Sequence, residues 1–418
     1  MQIEIDSIAF GGAGIAKKDG KVFFVRGGLP KDVVEINIIK DKGKYAEAVI
    51  SEIITPSPDR ITPKCPVFDT CGGCQLQNLN YQAQLREKEH IIEETLGRLG
   101  GLYDVPIDPI VPSPSEFEFR NKVTLSTWFY KGSWHVGYNQ KGSTRKVAIN
   151  SCPISDGIVN NTIKRISEIL SSLGDPHYPL EKIHVSSNGT RSQVTLVPRT
   201  SRKGNTLKTL LRHLKRHPET ENSSISGAGE TGFEFSIMGN KFLTTPSAFT
   251  QVNSKVNELM IKCVLDFTNL TGKETVLDLY SGIGNFSIPL ALKSKEVLGV
   301  EVSNNSVKLA RENSELNSVK NIVFQNASCE DAIQILAEQE EKFDLVVLDP
   351  TREGSKEILE GLVDLSPDKI VYVSCDPATL ARDLKKLGEL GFKVLKVRPF
   401  DMFPQTFHIE SVTLLAKV

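Results

Sequence analysis

The sequence predicts a multidomain chain: a small N-terminal β-barrel, a central α+β module that binds a metal, and a C-terminal doubly wound α/β sheet. Three observations predict this order. Short runs of period-two apolar alternation crowd the first fifty-odd residues, three cysteines fall within one ten-residue string, and strand and helix patterns alternate regularly from about Asn240 to the end.

In the first block, Ile3-Ile5, Val22-Phe24, Val34-Ile36-Ile38 and Ala46-Ala48-Ile50 read as strands, separated by Gly11-Gly12-Ala13-Gly14, Gly27-Gly28 and Lys42-Gly43. Several strands in so few residues suggest a closed sheet, and the proline-rich stretch from Thr55 to Pro63 separates it from the central module. The predicted boundaries are 1–54 for the barrel, 55–76 with 109–237 for the central module, 77–108 for a helix packing on the C-terminal domain, and 238–418 for that domain.

Cys65, Cys71 and Cys74 stand as C-x5-C-x2-C in CPVFDTCGGCQLQ, where Gly72 and Gly73 let the backbone fold tightly enough for the thiolates to converge. Three soft ligands this close imply a metal, and Cys152, in Asn150-Ser151-Cys152-Pro153, is the candidate fourth. Zinc and a four-iron cluster share this ligand set, and spacing does not separate them. Three unligated buried thiols are the plainer alternative. Cys263 sits on an apolar helical face and reads as core, and Cys329 has no motif around it.

From Tyr81 to Leu99 an amphipathic helix places Leu85, Ile92, Leu96 and Leu99 on one face, ended by Gly100-Gly101. The central module mixes strands (Lys122–Thr127, Lys182–Ser187, Gln193–Pro198) with helices around Ile163–Leu173 and Leu207–Arg216. Its Trp128, Tyr130 and Trp134 can stack bases or fill a core. Basic groups gather at Arg202-Lys203, Lys208 and Arg212-His213-Lys215-Arg216, which a solvated helix face explains equally well.

The C-terminal domain alternates strands Thr275–Leu279, Glu296–Val300, Ile322–Gln325, Asp344–Leu348 and Lys369–Ser374 with helical stretches Phe286–Lys293, Ser303–Asn317, Glu330–Glu340, Lys356–Leu365 and Ala378–Gly388. In such sheets ligands bind beyond the carboxyl ends of the strands. After the first strand comes DLYSGIGNF, and nineteen residues beyond Gly282 stands Glu301, placed to accept hydrogen bonds from ribose hydroxyls. The pair indicates an adenosine-type cofactor. The turn lacks the third glycine of a dinucleotide fingerprint, which favours S-adenosylmethionine over NAD, with an NAD-linked oxidoreductase as the lesser alternative. After the fourth strand comes Asp349-Pro350-Thr351-Arg352-Glu353-Gly354. After the fifth comes Ser374-Cys375-Asp376-Pro377, where a helix N-terminus favours a thiolate.

Composition sets limits on these readings. The chain has 418 residues, 39% hydrophobic and 24% charged, with a net charge of −1, so overall charge does not advertise a polyanionic partner. No signal-like leader and no long apolar run is present, which makes the cytoplasm the expected address. Seven cysteines, three of them clustered, argue for metal binding or catalysis over disulfides.

The cysteine quartet, Phe249-Thr250-Gln251-Val252-Asn253, DLYSGIGNF, DPTREG, YVSCDPATLARDL and the terminal FPQTFHIE fall in one order along the chain. In that order the sequence resembles the uracil-5 RNA methyltransferase family, and most of all its members with a TRAM domain and a [4Fe-4S] cluster that act on 23S ribosomal RNA. The resemblance implies an OB-like TRAM barrel, a central iron-sulfur module and a Rossmann-like class I methyltransferase domain. It further implies Cys375 as nucleophile and Glu410 as the base that removes the C5 proton. Gln251, Tyr280, Asn285, Glu301, Ser328 and Asp349 would line the S-adenosylmethionine site, and Cys65, Cys71, Cys74 and Cys152 would hold the cluster. Asp376 stands where members commonly have Asn, and Thr351 where a second Pro is common; an added carboxylate beside Cys375 raises the thiol pKa unless it is paired. The implied partner is RNA, 23S ribosomal RNA first and the T-loop of tRNA as alternative, with no membrane and a monomeric chain expected. A non-catalytic, zinc-containing RNA-binding protein is the reading from another class, against which the full set of Cys375, Glu410 and cofactor residues argues.

Overall fold

The computed structural model describes residues 1–173, 180–199, 205–226 and 232–418; Arg202 and Lys203 lie outside the described residues. The N-terminal block is a six-stranded sheet in the order Gln2–Glu4, Val33–Asp41, Tyr45–Thr55, Lys21–Arg26, Ala13–Lys18, Ser7–Ile8. Alternate residues Ile3, Ile5, Ala16, Phe23, Val25, Val34, Ile36, Ala46 and Ala48 close its core. One expected turn is shorter than its glycines suggest. Only Gly11 and Gly12 take positive φ, at 114° and 84°, and Ala13-Gly14 already belong to a strand. There a side chain on Gly14 would strike the Gly28 carbonyl at 2.7 Å, so the glycine serves close approach.

The central module is a second six-stranded sheet, ordered Ser223–Ile225, Ser192–Pro198, Leu180–Ser187, Lys122–Tyr130, Ser133–Asn139, Lys146–Ala148. The helices Gly157–Leu173 and Asn205–Leu214 cover one face. The strand Ser133–Asn139 escaped the sequence pattern; it buries Trp134 in the core, and Tyr130, which ends the preceding strand, is 57% exposed on the opposite face. The basic residues Lys208 and Arg212 of the helix, and Lys215 just beyond it, lie around the buried ridge Leu207, Leu210 and Leu214.

The C-terminal sheet has seven strands in the order Ile322–Asn326, Glu296–Glu301, Thr275–Leu279, Leu345–Leu348, Lys369–Ser374, Glu410–Lys417, Phe392–Phe400. The first five are parallel. The last two, which the sequence pattern does not predict, are antiparallel to their neighbours. Chain order reverses between Thr275–Leu279 and Leu345–Leu348, which opens a crevice at their carboxyl ends. The helix Tyr81–Gly100 packs Ala83, Ile91, Ile92 and Leu96 against Leu380, Ala381, Leu384 and Leu387 of the Pro377–Glu389 helix. Leu99, expected on the packed face, is 57% exposed; the chain leaves the helix there through Gly101 at φ 69°.

Candidate active site

Two antiparallel strands bring together residues 35 apart in sequence. Ser374 pairs with Ser411, so the next residues outward, Cys375 and Glu410, face one another at the end of the sheet. Glu410 is the first residue of its strand and only 5% exposed, and Cys375 is half-buried. Behind Cys375 the Pro377–Glu389 helix begins, capped by Asp376, whose carboxylate accepts from Ala378 N at 2.9 Å and Thr379 N at 3.1 Å. The added acid is therefore engaged by the helix N-terminus, where carboxylates are favoured.

Burial first, then Glu410 and Asp349, and least of all Asp376, raise the Cys375 thiol to about 12 against the opposing pull of Arg352. The helix dipole does not win. For a half-buried thiol between two carboxylates, ionisation costs more than a helix end returns. Glu410 is also raised well above the carboxylate range, first by burial, then by Asp349. Asp349 is raised to about 7 by burial and by Asp278, and Asp278, whose second carboxylate oxygen accepts from Ser287, is likewise raised to about 7. Through these couplings Glu301, Asp278, Asp349 and Glu410 form a row of acids running from the glycine turn to Cys375.

The glycine turn explains the near end of that row. Tyr280, Gly282 and Gly284 all take positive φ, at 63°, 56° and 91°. At Gly282 a side chain would meet nothing within 4 Å, so the space above the turn is open to a ligand. Gly282 N donates to one Glu301 oxygen at 3.1 Å and Ser303 N to the other at 2.7 Å, which fixes the carboxylate with further lone pairs to spare. Asn285 exchanges two hydrogen bonds with Asn257, at 2.8 and 3.0 Å, and so is held against the Ser254–Thr268 helix. Ser328 caps the Cys329–Glu338 helix by accepting from Asp331 N at 3.1 Å. The Tyr280 hydroxyl, pushed up by burial, turns toward Ser355 and Cys329. Gln251 is half-buried in the loop before Asn253, its carbonyl facing Asn121 at 3.4 Å.

Sequence reasoning passed over four groups at this site. Arg352 is the cation that faces Cys375, Glu410 and His408. Its loop is pinned by Asp383, which accepts from Ser355 N and Tyr372 Oη, both at 2.7 Å, and a side chain on Gly354 would reach Asp383 and Arg382 at 2.5 Å. His408, packed between Phe403 and Phe407, is pushed down to about 4 by burial and by Arg352, Lys88 and Arg120, and so stays neutral. Lys88 is fully buried, donating to Asp401 at 2.5 Å and to the Phe403 carbonyl at 3.1 Å. Gln84 exchanges hydrogen bonds with Gln405 at 3.0 Å, and the Gln405 carbonyl accepts from Gln75 N and Leu76 N. Arg352 carries a signal in its place after a strand end; Lys88 and Gln84 carry none, because their partners lie over 300 residues away.

The four predicted ligand cysteines lie in one neighbourhood. Cys65, Cys71 and Cys74 each feel Cys152, and Phe68, Phe119 and Ile154 pack beside them, with Cys71 and Cys74 buried and Cys65 and Cys152 half-buried. Burial pushes the Cys74 thiol up to about 12, Gly73 N donates to Cys71 Sγ at 3.4 Å, and Tyr138 bonds Cys152. Among the described residues no group of three or more His, Cys, Asp or Glu side chains is drawn close enough to hold a metal ion. All seven cysteines are free thiols. Cys263 is core, touched by Arg398 at 3.8 Å. No helix among the described residues is long and apolar enough to cross a membrane.

A class I sheet with an acid-anchored glycine turn, joined to a small β module, defines an S-adenosylmethionine-dependent RNA methyltransferase. Comparison with known proteins places the chain within that class. Residues 236–418 match the family described as tRNA (Uracil-5-)-methyltransferase, and residues 1–50 match the TRAM domain. An RNA methyltransferase of Clostridium tetani is 36% identical over 97% of this chain and 93% of its own length. One of Aquifex aeolicus is 33% identical over 99% and 98%. The fold matches that of the Pyrococcus abyssi tRNA (uracil-54, C5)-methyltransferase in complex with S-adenosyl-L-homocysteine, with a TM-score of 0.75 over 100% of both chains at 24% identity. The chain belongs to the uracil-5 RNA methyltransferase family.

Proposed function

We propose that the protein methylates C5 of a specific uridine in RNA through a covalent adduct on Cys375, with 23S ribosomal RNA as substrate. The observation that carries this reading is the juxtaposition of Cys375 and Glu410 across the Ser374–Ser411 register, beside the crevice bounded by Asp349 and Glu301. Uracil C5 is too weak a nucleophile to take a methyl group directly. The Cys375 thiolate would form a bond to C6, moving the C5=C6 electron pair onto C5 as an enolate. When bound, S-adenosylmethionine supplies an electrophilic methyl and a positive charge. Gln251, Tyr280, Asn285, Glu301, Ser328 and Asp349 would hold it, Glu301 through the ribose hydroxyls. With the methyl on C5, the Glu410 carboxylate takes the C5 proton, the C5=C6 bond re-forms and the sulfur–C6 bond breaks, returning the thiolate. A carboxylate whose proton affinity is raised by burial suits this abstraction. A positive charge arriving near Asp349 favours ionisation of both Cys375 and Glu410.

The same reading assigns residues 1–54 to the barrel, 55–76 with 109–237 to the central module, 77–108 to the packing helix and 238–418 to the methyltransferase domain. Cys65, Cys71, Cys74 and Cys152, four soft thiols in one neighbourhood, would hold a [4Fe-4S] cluster, whose role would be to staple the 65–74 loop to Cys152. The test of function is direct: anaerobically purified protein is incubated with S-adenosylmethionine and unmodified 23S ribosomal RNA or unmodified tRNA, and 5-methyluridine is quantified by mass spectrometry. Product in ribosomal RNA alone is expected. Product in tRNA alone transfers the reading to the T-loop, and none in either refutes uracil C5 as the target.

A further inference from the structure

The central sheet buries one face beneath its two helices, with Val123, Leu125, Val136, Ile183 and Val185 in that core. Strand alternation sends the intervening residues the other way. On that second face Lys122, Thr124, Ser126, Trp128 and Tyr130 succeed one another along a single strand, with His135 and Lys146 to one side and Lys182 and His184 to the other; all are half-buried or exposed. The Trp128 indole lies nearly parallel to the His135 imidazole, ring centroids 5.6 Å apart and planes 23° from parallel. Tyr130 stands 6.5 Å from the same imidazole. Lys146 reaches across to Ser126 Oγ at 3.0 Å and Asn139 Oδ1 at 2.6 Å. The carboxylate at the rim, Glu181, is 3.7 Å from Lys182 at a bulge.

The face leads to the site. Its first residue, Lys122, donates to the Ala248 carbonyl at 2.8 Å, and Asn121 N donates to Val252 O at 2.9 Å, on either side of Gln251. There Arg120, Lys122, Thr124 and Tyr138 line a cavity of 360 Å³ together with Cys152, Phe249, Thr250 and Val252. A nine-residue strand runs roughly 26 Å, long enough for several nucleotides.

We propose that this open sheet face is the track for the single-stranded RNA segment flanking the target uridine, with Trp128 and Tyr130 stacking bases and Lys146 and Lys182 meeting phosphates. The inference rests on the reading of the substrate as RNA. A surface of cations, hydroxyls and aromatic rings is complementary to a polyanion bearing planar bases, and an apolar protein partner would leave these polar groups unpaired.

The chain has two tryptophans, and Trp134 is 5% exposed in the core, so Trp134→Phe leaves Trp128 as the reporter. A twelve-nucleotide oligouridine is titrated into this variant, and a fluorescein-labelled copy is followed by anisotropy with the unaltered chain. Quenching of Trp128 is expected at the concentration where anisotropy rises. Trp128→Ala with Tyr130→Ala weakens binding on the order of tenfold, Trp128→Phe keeps most of it, and Lys146→Ala lowers the salt slope by about one. S-adenosylhomocysteine binding by calorimetry stays unchanged, which shows the variants are folded. Oligouridine binding without quenching, and with unaltered affinity in the double variant, overturns the track while leaving the RNA reading standing. A chain that binds neither oligouridine nor unmodified ribosomal RNA and tRNA overturns both.

Discussion

Cys375 rests as a thiol between two carboxyl groups, and Arg352 is the counterweight that the resting site supplies. A thiol raised by burial is protonated below its pKa, so adduct formation should accelerate as pH rises from about 6 to about 9. Replacing Arg352 by Ala removes a stabiliser of the thiolate; turnover near neutrality should fall on the order of tenfold, with the rising limb displaced toward alkaline pH. Initial rates of methyl transfer across that range check both points, and an unshifted profile would exclude Arg352 from thiolate stabilisation. Cys375→Ala should abolish methylation while S-adenosylhomocysteine still binds. Glu410→Gln should leave enzyme bound to RNA through denaturing electrophoresis, because the adduct forms and the C5 proton then has no acceptor. Normal release by that variant would place the base elsewhere.

At the scale of elements, the loops around the site depend on partners that local patterns do not reveal. The five parallel strands and the glycine turn were legible because their apolar runs and turn residues are contiguous. The strands Phe392–Phe400 and Glu410–Lys417 were not: Lys393, Lys396 and Arg398 break up the first, which residues 107–111 cover at the outer edge, and the second is buried on both faces with no clean alternation. Ser133–Asn139 was missed for a similar reason: Gly137 and His135 interrupt its pattern. Cys375, Glu410 and Asp349 were locatable from strand ends and family order, whereas the clamp on the segment before Glu410 joins Gln84 and Lys88 to Gln405 and Asp401 from the far end of the chain. Lys88→Met leaves Asp401 buried without its cation and should cost about 3–5 kcal/mol, with much of it regained on adding Asp401→Leu. Urea denaturation of the single and double variants measures this. Gly354→Ala meets both a positive φ of 79° and the Asp383 carboxylate, and should lower turnover by displacing the Arg352 loop while leaving cofactor affinity unchanged.

For the whole molecule, the expectation is a brown protein with about four irons per chain when prepared anaerobically. Cys152→Ser should lose that iron and loosen the join between the 65–74 loop and the central module. Iron assay and near-ultraviolet circular dichroism of both proteins test this, and stoichiometric zinc in place of iron would favour the tetrahedral reading of the same thiols.

The Gln84–Gln405 and Lys88–Asp401 contacts have a consequence in time as well as in space. A ribosome makes the helix carrying Gln84 and Lys88 some 313 to 321 residues before the turn that receives them. Until the last stretch of chain emerges, the Lys88 ammonium has no counterion to be buried with, and the strand bearing Glu410 has nothing to pair into the sheet. The barrel and the central module can form before that stretch is made, whereas Cys375 and Glu410 come together only once it has been.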